Sequence, residues 1–172
     1  MTSFKSTLNA AGVEQVVRAI VRRLAGVAVI VAPPVLRIAL AVPFFRSGLT
    51  RWDGFLSLSP SAAYLFEEEF KLHLFGGRYD FPAPIVIAHL VGMAEITLPL
   101  LLLLGLATRF AGLGLLIMTG VIQLVVPDGW ANFHLPWAGL ALAIVAIGPG
   151  PLSLDRLIDK LLGARQSRDA VA

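Results

Sequence analysis

The chain of 172 residues contains no cysteine. That absence excludes disulfides, thiolate metal ligands, iron–sulfur clusters and thiol exchange together, so any redox role has to use chemistry borrowed from elsewhere. Charge is scarce as well: only 15% of residues are Asp, Glu, Lys or Arg, and the net charge is +3. In so apolar a chain the excess of Lys and Arg sets orientation before it recruits nucleic acid, and no nucleic-acid-binding face stands out. A catalytic triad and a nucleotide fingerprint are also missing. Gly148-Pro149-Gly150 lacks the following lysine of a phosphate loop and reads as a helix stop and turn.

What the chain does have is hydrocarbon. Hydrophobic residues make up 57% of it, and the mean hydropathy of +0.81 exceeds that of ordinary soluble domains. The expected fold is all-α: an integral membrane four-helix bundle with amphipathic helices at the N-terminus, in the first outer loop and at the C-terminus. A span needs roughly 20 apolar residues, and the apolar runs predict spans at about 30–49, 83–104, 109–126 and 133–147. The last is short and extended by Trp130 and Trp137 as interface anchors.

Residues 1–31 read as a cytosolic or interfacial helix with Arg18, Arg22 and Arg23 among Val and Ile. This segment is read as retained, because its flanks do not fit a cleaved signal peptide. Residues 32–152 form the four-span membrane domain. Its outer loop, 51–81, carries a surface helix over 60–74 that starts at Ser59-Pro60 and bears Glu67, Glu68 and Glu69. Residues 153–172 are an amphipathic helix capped by Ser153, followed by a disordered tail. Lys5, Arg18, Arg22, Arg23, Arg109, Arg156, Lys160, Arg165 and Arg168 fall on one side, so both termini are expected in the cytoplasm.

One carboxylate stands out. Glu95 sits within an otherwise apolar run from 83 to 106, where a charged side chain costs roughly 3 kcal/mol on insertion scales. It needs a partner or a proton. Depth along the predicted spans puts Arg37 within reach, so a buried Arg37–Glu95 ion pair that locks spans one and two is one reading. A ligand-binding or proton-accepting carboxylate is a second. A protonated Glu95 bonded to a backbone carbonyl, without Arg37, is a third.

Arg46, His89, Gln123, Asp128 and His134 fall toward the outer side and form a candidate polar pocket for a small molecule or quinone headgroup. The three histidines, His73, His89 and His134, lack local ligand spacing, so no metal site is assigned. No catalytic residue is identified.

Leu36-Arg37-Ile38 with Gly48 further along, then Ala94-Glu95 ahead of Leu101-Leu102-Leu103-Leu104-Gly105-Leu106-Ala107-Thr108-Arg109, resembles the DoxX family. The ending Gly148-Pro149-Gly150-Pro151-Leu152-Ser153-Leu154-Asp155 is similar to that family's C-terminal segment. The family comprises small four-span bacterial membrane proteins related to the membrane subunit of thiosulfate:quinone oxidoreductase. The Glu-rich loop segment and Asp128-Gly129-Trp130 look more like the subgroup associated with copper-binding peptide (bufferin-type) biosynthesis.

The resemblance implies a multi-pass protein of the bacterial inner (plasma) membrane, acting as a membrane subunit of a redox or stress-response system. It implies a quinone or similar lipid-soluble ligand near Glu95; no other cofactor is evident. Alone the chain is not expected to catalyse, and if it takes part in catalysis it does so as an oxidoreductase subunit. The alternatives are a non-enzymatic accessory in metal-binding peptide maturation or export, and a structural membrane anchor. Expected partners are the lipid bilayer and other membrane or cytosolic redox or metal-handling proteins, with oligomerisation open.

Overall fold

A computed structural model describes residues 2–169 in backbone and 12–163 in side-chain detail. Chain packing divides it into two units, 1–32 and 33–172. The division falls inside one helix, α1, Thr2–Leu49, with Pro33, Pro34 and Pro43 in its interior. The separate helix and span expected on either side of residue 31 are thus continuous in backbone. In the first unit the Arg18 side chain pairs with Glu14 one turn earlier, and Val13, Val16, Val17, Ile20 and Val21 are exposed.

The second unit contains the remaining spans. They are α3, Pro84–Leu104, α4, Thr108–Val125, and α5, Leu135–Ile147, preceded by single 3-10 and π-helical turns over Pro127–Gly129 and Trp130–His134. Among the described residues four helices, one of them α1, are long and apolar enough to cross a membrane, and the protein is an all-helical multi-pass bundle. A final helix, α6, Leu154–Asp169, starts on Ser153, whose hydroxyl accepts from Arg156 N at 3.2 Å. The disordered tail expected at the end falls partly on residues 170–172, outside the described ones.

Why these helices pack follows from small residues on one face. On α3 the buried positions are Ala88, Gly92, Glu95, Pro99 and Leu102, spaced alternately four and three apart. On α4 they are Thr108, Ala111, Gly112, Leu115 and Thr119. A Cβ on Gly112 would stand 3.1 Å from Ile144 Cγ2, so α4 and α5 approach closely there. Leu40, Ala41, Phe44, Leu102, Ala111, Leu115, Ala141 and Ile144 form the core. Gly120, which sequence spacing puts on the same stripe, faces open space.

The loop departs from the expected single helix over 60–74. A short helix, α2, Pro60–Tyr64, is capped by Ser59 Oγ, which accepts from Ala62 N at 3.2 Å, and passes into one π-helical turn, Leu65–Glu69. The chain then extends at Phe70 into a hairpin of β3, Lys71–Leu74, and β4, Gly77–Asp80, which pair antiparallel. The overlooked signal is the Phe75-Gly76 turn, where both residues have positive φ, the geometry of a two-residue hairpin connection. A smaller hairpin pairs β1, Trp52–Gly54, with β2, Ser57–Leu58.

Candidate functional site

Glu95 lies eleven residues after the start of α3 and nine before its end, which is about 16 Å and 14 Å at 1.5 Å per residue. It is 2% exposed. Its partner is Arg51. Arg51 Nε donates to Oε2 at 2.9 Å, Arg51 Nη2 to Oε1 at 3.3 Å, and Ser47 Oγ to Oε1 at 3.0 Å. The fork of the guanidinium matches the two carboxylate oxygens, the strongest common form of this contact. Phe66 and Phe70 lie beside the guanidinium, with its carbon 5.3 Å and 5.9 Å from their ring centres.

Glycines set this register. A Cβ on Gly48 would lie 2.9 Å from three atoms of Glu95, and one on Gly92 would lie 2.7 Å from Trp52 Cζ2. The end of α1 is therefore pressed on the middle of α3, and Arg51 and Trp52 turn straight onto the same face. Trp52 also meets His89 edge-on at 5.9 Å.

The expected Arg37–Glu95 pair is not formed. Arg37 stands eleven residues before Gly48 on α1, about 16 Å further down the bundle. Ten residues below Glu95 on α3, at its C-cap, is Gly105, and a Cβ there would collide with Arg37 Nη1. Arg37 Nη2 donates to Leu152 O at 2.5 Å, while its Nε and Nη1 are buried without hydrogen-bond partners among the described residues. The expectation aligned the ends of spans one and two. It failed because α1 stops at the level of Glu95 and the loop supplies the arginine.

Arg37 belongs to a second polar cluster. The Asp155 carboxylate accepts from Ala107 N at 2.7 Å and Thr108 N at 2.9 Å, capping α4, and Asp155 N donates to Gly105 O at 2.9 Å. Burial alone would push the Asp155 carboxyl up. The Thr108 and Ala107 amides and the Arg37 charge outweigh it and hold the pKa below its usual value.

Of the residues assigned to an outer pocket, Gln123 and His134 meet: His134 Nδ1 and Gln123 Oε1 are 2.6 Å apart. His134 is 3% exposed and its ring lies against Trp137, 5.6 Å between centres. His134 and Asp128 line the same cavity as Ser47, Arg51 and Glu95. Arg46, His89 and Gln123 are not on its wall; Arg46 is exposed, and His89 Nδ1 bonds Ile85 O at 2.8 Å. His73 lies apart, its Nδ1 3.1 Å from Leu124 O.

The cavity measures about 710 Å³ and is walled mainly by apolar side chains of α1, α3, α4, α5 and the loop. Leu90, Ile117 and Val121 lie on its wall and are exposed. Among the described residues no three His, Asp or Glu side chains gather as metal ligands.

Fold and site together define a multi-pass membrane protein with a hydrocarbon-lined cavity beside a buried ion pair. The DoxX family profile matches residues 32–128, and the chain belongs to that family. It is 30% identical over 139 residues to a Haemophilus influenzae protein named only as uncharacterized, over 74% of this chain and 83% of that one. No solved structure matches it.

Sequence reasoning missed Ser47 and Arg51. The legible signal was their four-residue spacing around Gly48: once Gly48 is read as the point of closest approach to α3, the side chains flanking it must face the Glu95 side.

Proposed function

We propose that this protein is a membrane subunit of a redox or stress-response system that holds a quinone or similar lipid-soluble ligand in the cavity beside Glu95. The observation that carries this reading is the cavity itself, about 710 Å³, apolar, with the Arg51–Glu95 pair on its wall. That volume falls within the range of small-molecule sites, which combine apolar walls with a few placed polar groups. A quinone, when bound, supplies a reversible two-electron carrier.

The chain's own residues contribute binding and orientation. Glu95 neutralises Arg51, so that part of the wall is polar with its two charges cancelled, which suits a neutral carbonyl more than an anion. Pro43, Phe44 and Trp137 offer apolar and aromatic surface to a ring. Ile117 and Val121, exposed on the spans, suit entry from the hydrocarbon rather than from water. With no cysteine, thiol-based electron transfer belongs to a partner protein. The distribution of Lys and Arg supports a plasma-membrane orientation with both termini in the cytoplasm.

The test is extraction of the protein in its native lipids. A quinone should be retained above the level in protein-free lipid, and Ala94→Trp, which fills the cavity from its wall, should expel it. If wild-type protein carries no more quinone than bulk lipid does, and takes up none when supplied, the reading is wrong.

A further inference from the structure

Gln123, on the last turns of α4, has both ends of its amide fixed. Its Nε2 donates to Pro127 O at 3.1 Å. Its Oε1 therefore faces His134 Nδ1, 2.6 Å away. An amide oxygen can only accept, so Nδ1 carries the proton in the neutral imidazole. The other ring nitrogen, Nε2, is then left with a lone pair.

That nitrogen has no hydrogen-bond partner among the described residues. The ring is buried, and it lines the cavity. Its position is set closely: a Cβ on Gly129 would stand 2.5 Å from His134 Cε1 and 2.8 Å from Nε2, and Trp137 backs the ring. An oriented lone pair with no protein donor, on the wall of a cavity, is left to accept from whatever enters that cavity. Glu95, also on the wall, is already committed to Ser47 and Arg51, and the Asp128 carboxylate, on the wall too, is exposed.

We propose that His134 Nε2 is a hydrogen-bond acceptor for a hydroxyl on the cavity's ligand, so that the site selects a phenolic, hydroquinone-type headgroup, with Gln123 as the positioning residue that fixes the tautomer. This rests on the cavity being a ligand site. It adds a direction to that site: the ligand's O–H points to α5, while a second oxygen on its ring can take a bond from the α1 and loop side, where Ser47 and Arg51 lie.

The experiment uses the full-length protein in nanodiscs and three probes: decylhydroquinone, its dimethyl ether and decylbenzoquinone. Retention of each is measured against empty nanodiscs. Decylhydroquinone should be held roughly tenfold more tightly than the ether, the equivalent of one well-placed hydrogen bond. His134→Phe should bring the two to parity. Gln123→Leu, which leaves the imidazole in place but frees its tautomer, should lower the preference several-fold.

Because His134→Phe could fail to fold, nitrogen-15 spectra of histidine-labelled wild-type protein supply a second readout. The unprotonated His134 Nε2 resonance should move on adding decylhydroquinone and stay put with the ether. Equal retention of hydroquinone and ether by wild-type protein, or a preference that survives in folded His134→Phe, overturns the role of His134 and leaves the cavity reading standing. Retention of none of the three probes overturns both.

Discussion

Arg37, buried, and Arg51, mostly buried, are handled in opposite ways. Arg51 meets a carboxylate fork to fork, is flanked by two phenylalanines and borders a cavity. Among the described residues Arg37 meets no carboxylate directly: it donates one bond to Leu152 O, leaves two nitrogens without partners and is walled in by Gly105. The first arrangement spends its polarity on the wall of an empty space. The second closes a joint between α1, the α3–α4 turn and the start of α6, with Asp155 bonded to the backbone at 105, 107 and 108. Space beside a satisfied charge pair suits a ligand, whereas an under-satisfied cation packed against backbone suits a fastening.

If that contrast is right, the two ends break differently. The largest effect is expected from Glu95→Leu, which leaves the Arg51 cation buried and alone at a cost of about 3–5 kcal/mol. Adding Arg51→Leu should recover most of that loss, because two leucines there bury no charge. Thermal unfolding in detergent micelles of the two singles and the double gives the coupling. A double variant no more stable than Glu95→Leu alone would mean that Arg51 and Glu95 do not act as a pair. Ligand retention should not return in the double, since the polar wall is gone.

Next in size is Gly105→Val, at the other end. Residue 105 has φ +67°, and any side chain there collides with Arg37 and Ser153. A β-branched residue at positive φ together with that overpacking should cost about 3 kcal/mol. Pairing it with Arg37→Ala should relieve only part of the loss, because the backbone strain remains. Ligand retention per folded molecule should be unchanged, in contrast to the Glu95 variants.

Much of this architecture was legible in the chain, and the reason is periodicity. Apolar runs of span length placed α3 and α4 to within about one residue, and the four-three spacing of Ala88, Gly92, Glu95 and Pro99 gave the packed face of α3. That Glu95 needs a partner also followed from hydropathy alone. Which partner did not, because it depends on where α1 ends relative to α3, and hydropathy continues through Leu49 without marking that level. The loop was misread for a related reason. A stretch such as Lys71 to Leu74 is compatible with helix or strand, and only the Phe75-Gly76 turn and the packing of the hairpin beside α4 decide it. The cavity, built from several elements, has no local signature at all.

The smallest effects concern single hydrogen bonds. Ser47→Ala removes one of three bonds to Glu95 and should cost about 1 kcal/mol, with Arg51 still in place. Asp155→Asn probes the fastening with a finer instrument, pH. The folded-state pKa of Asp155 lies below its unfolded value, since the ionised form is the one that accepts from Ala107 and Thr108. Its contribution is therefore fully present above the unfolded pKa, about 3.9, and is lost as pH falls through the folded value. Wild-type thermal stability should decline more steeply on acidification below pH 4 than that of Asp155→Asn, whose amide does not titrate. At neutral pH the variant should already be about 1 kcal/mol less stable, the usual cost of losing a cap. Parallel acid profiles would mean that the carboxylate charge does not hold this joint, and the contrast between the two arginines would then rest on Arg37 and Leu152 alone.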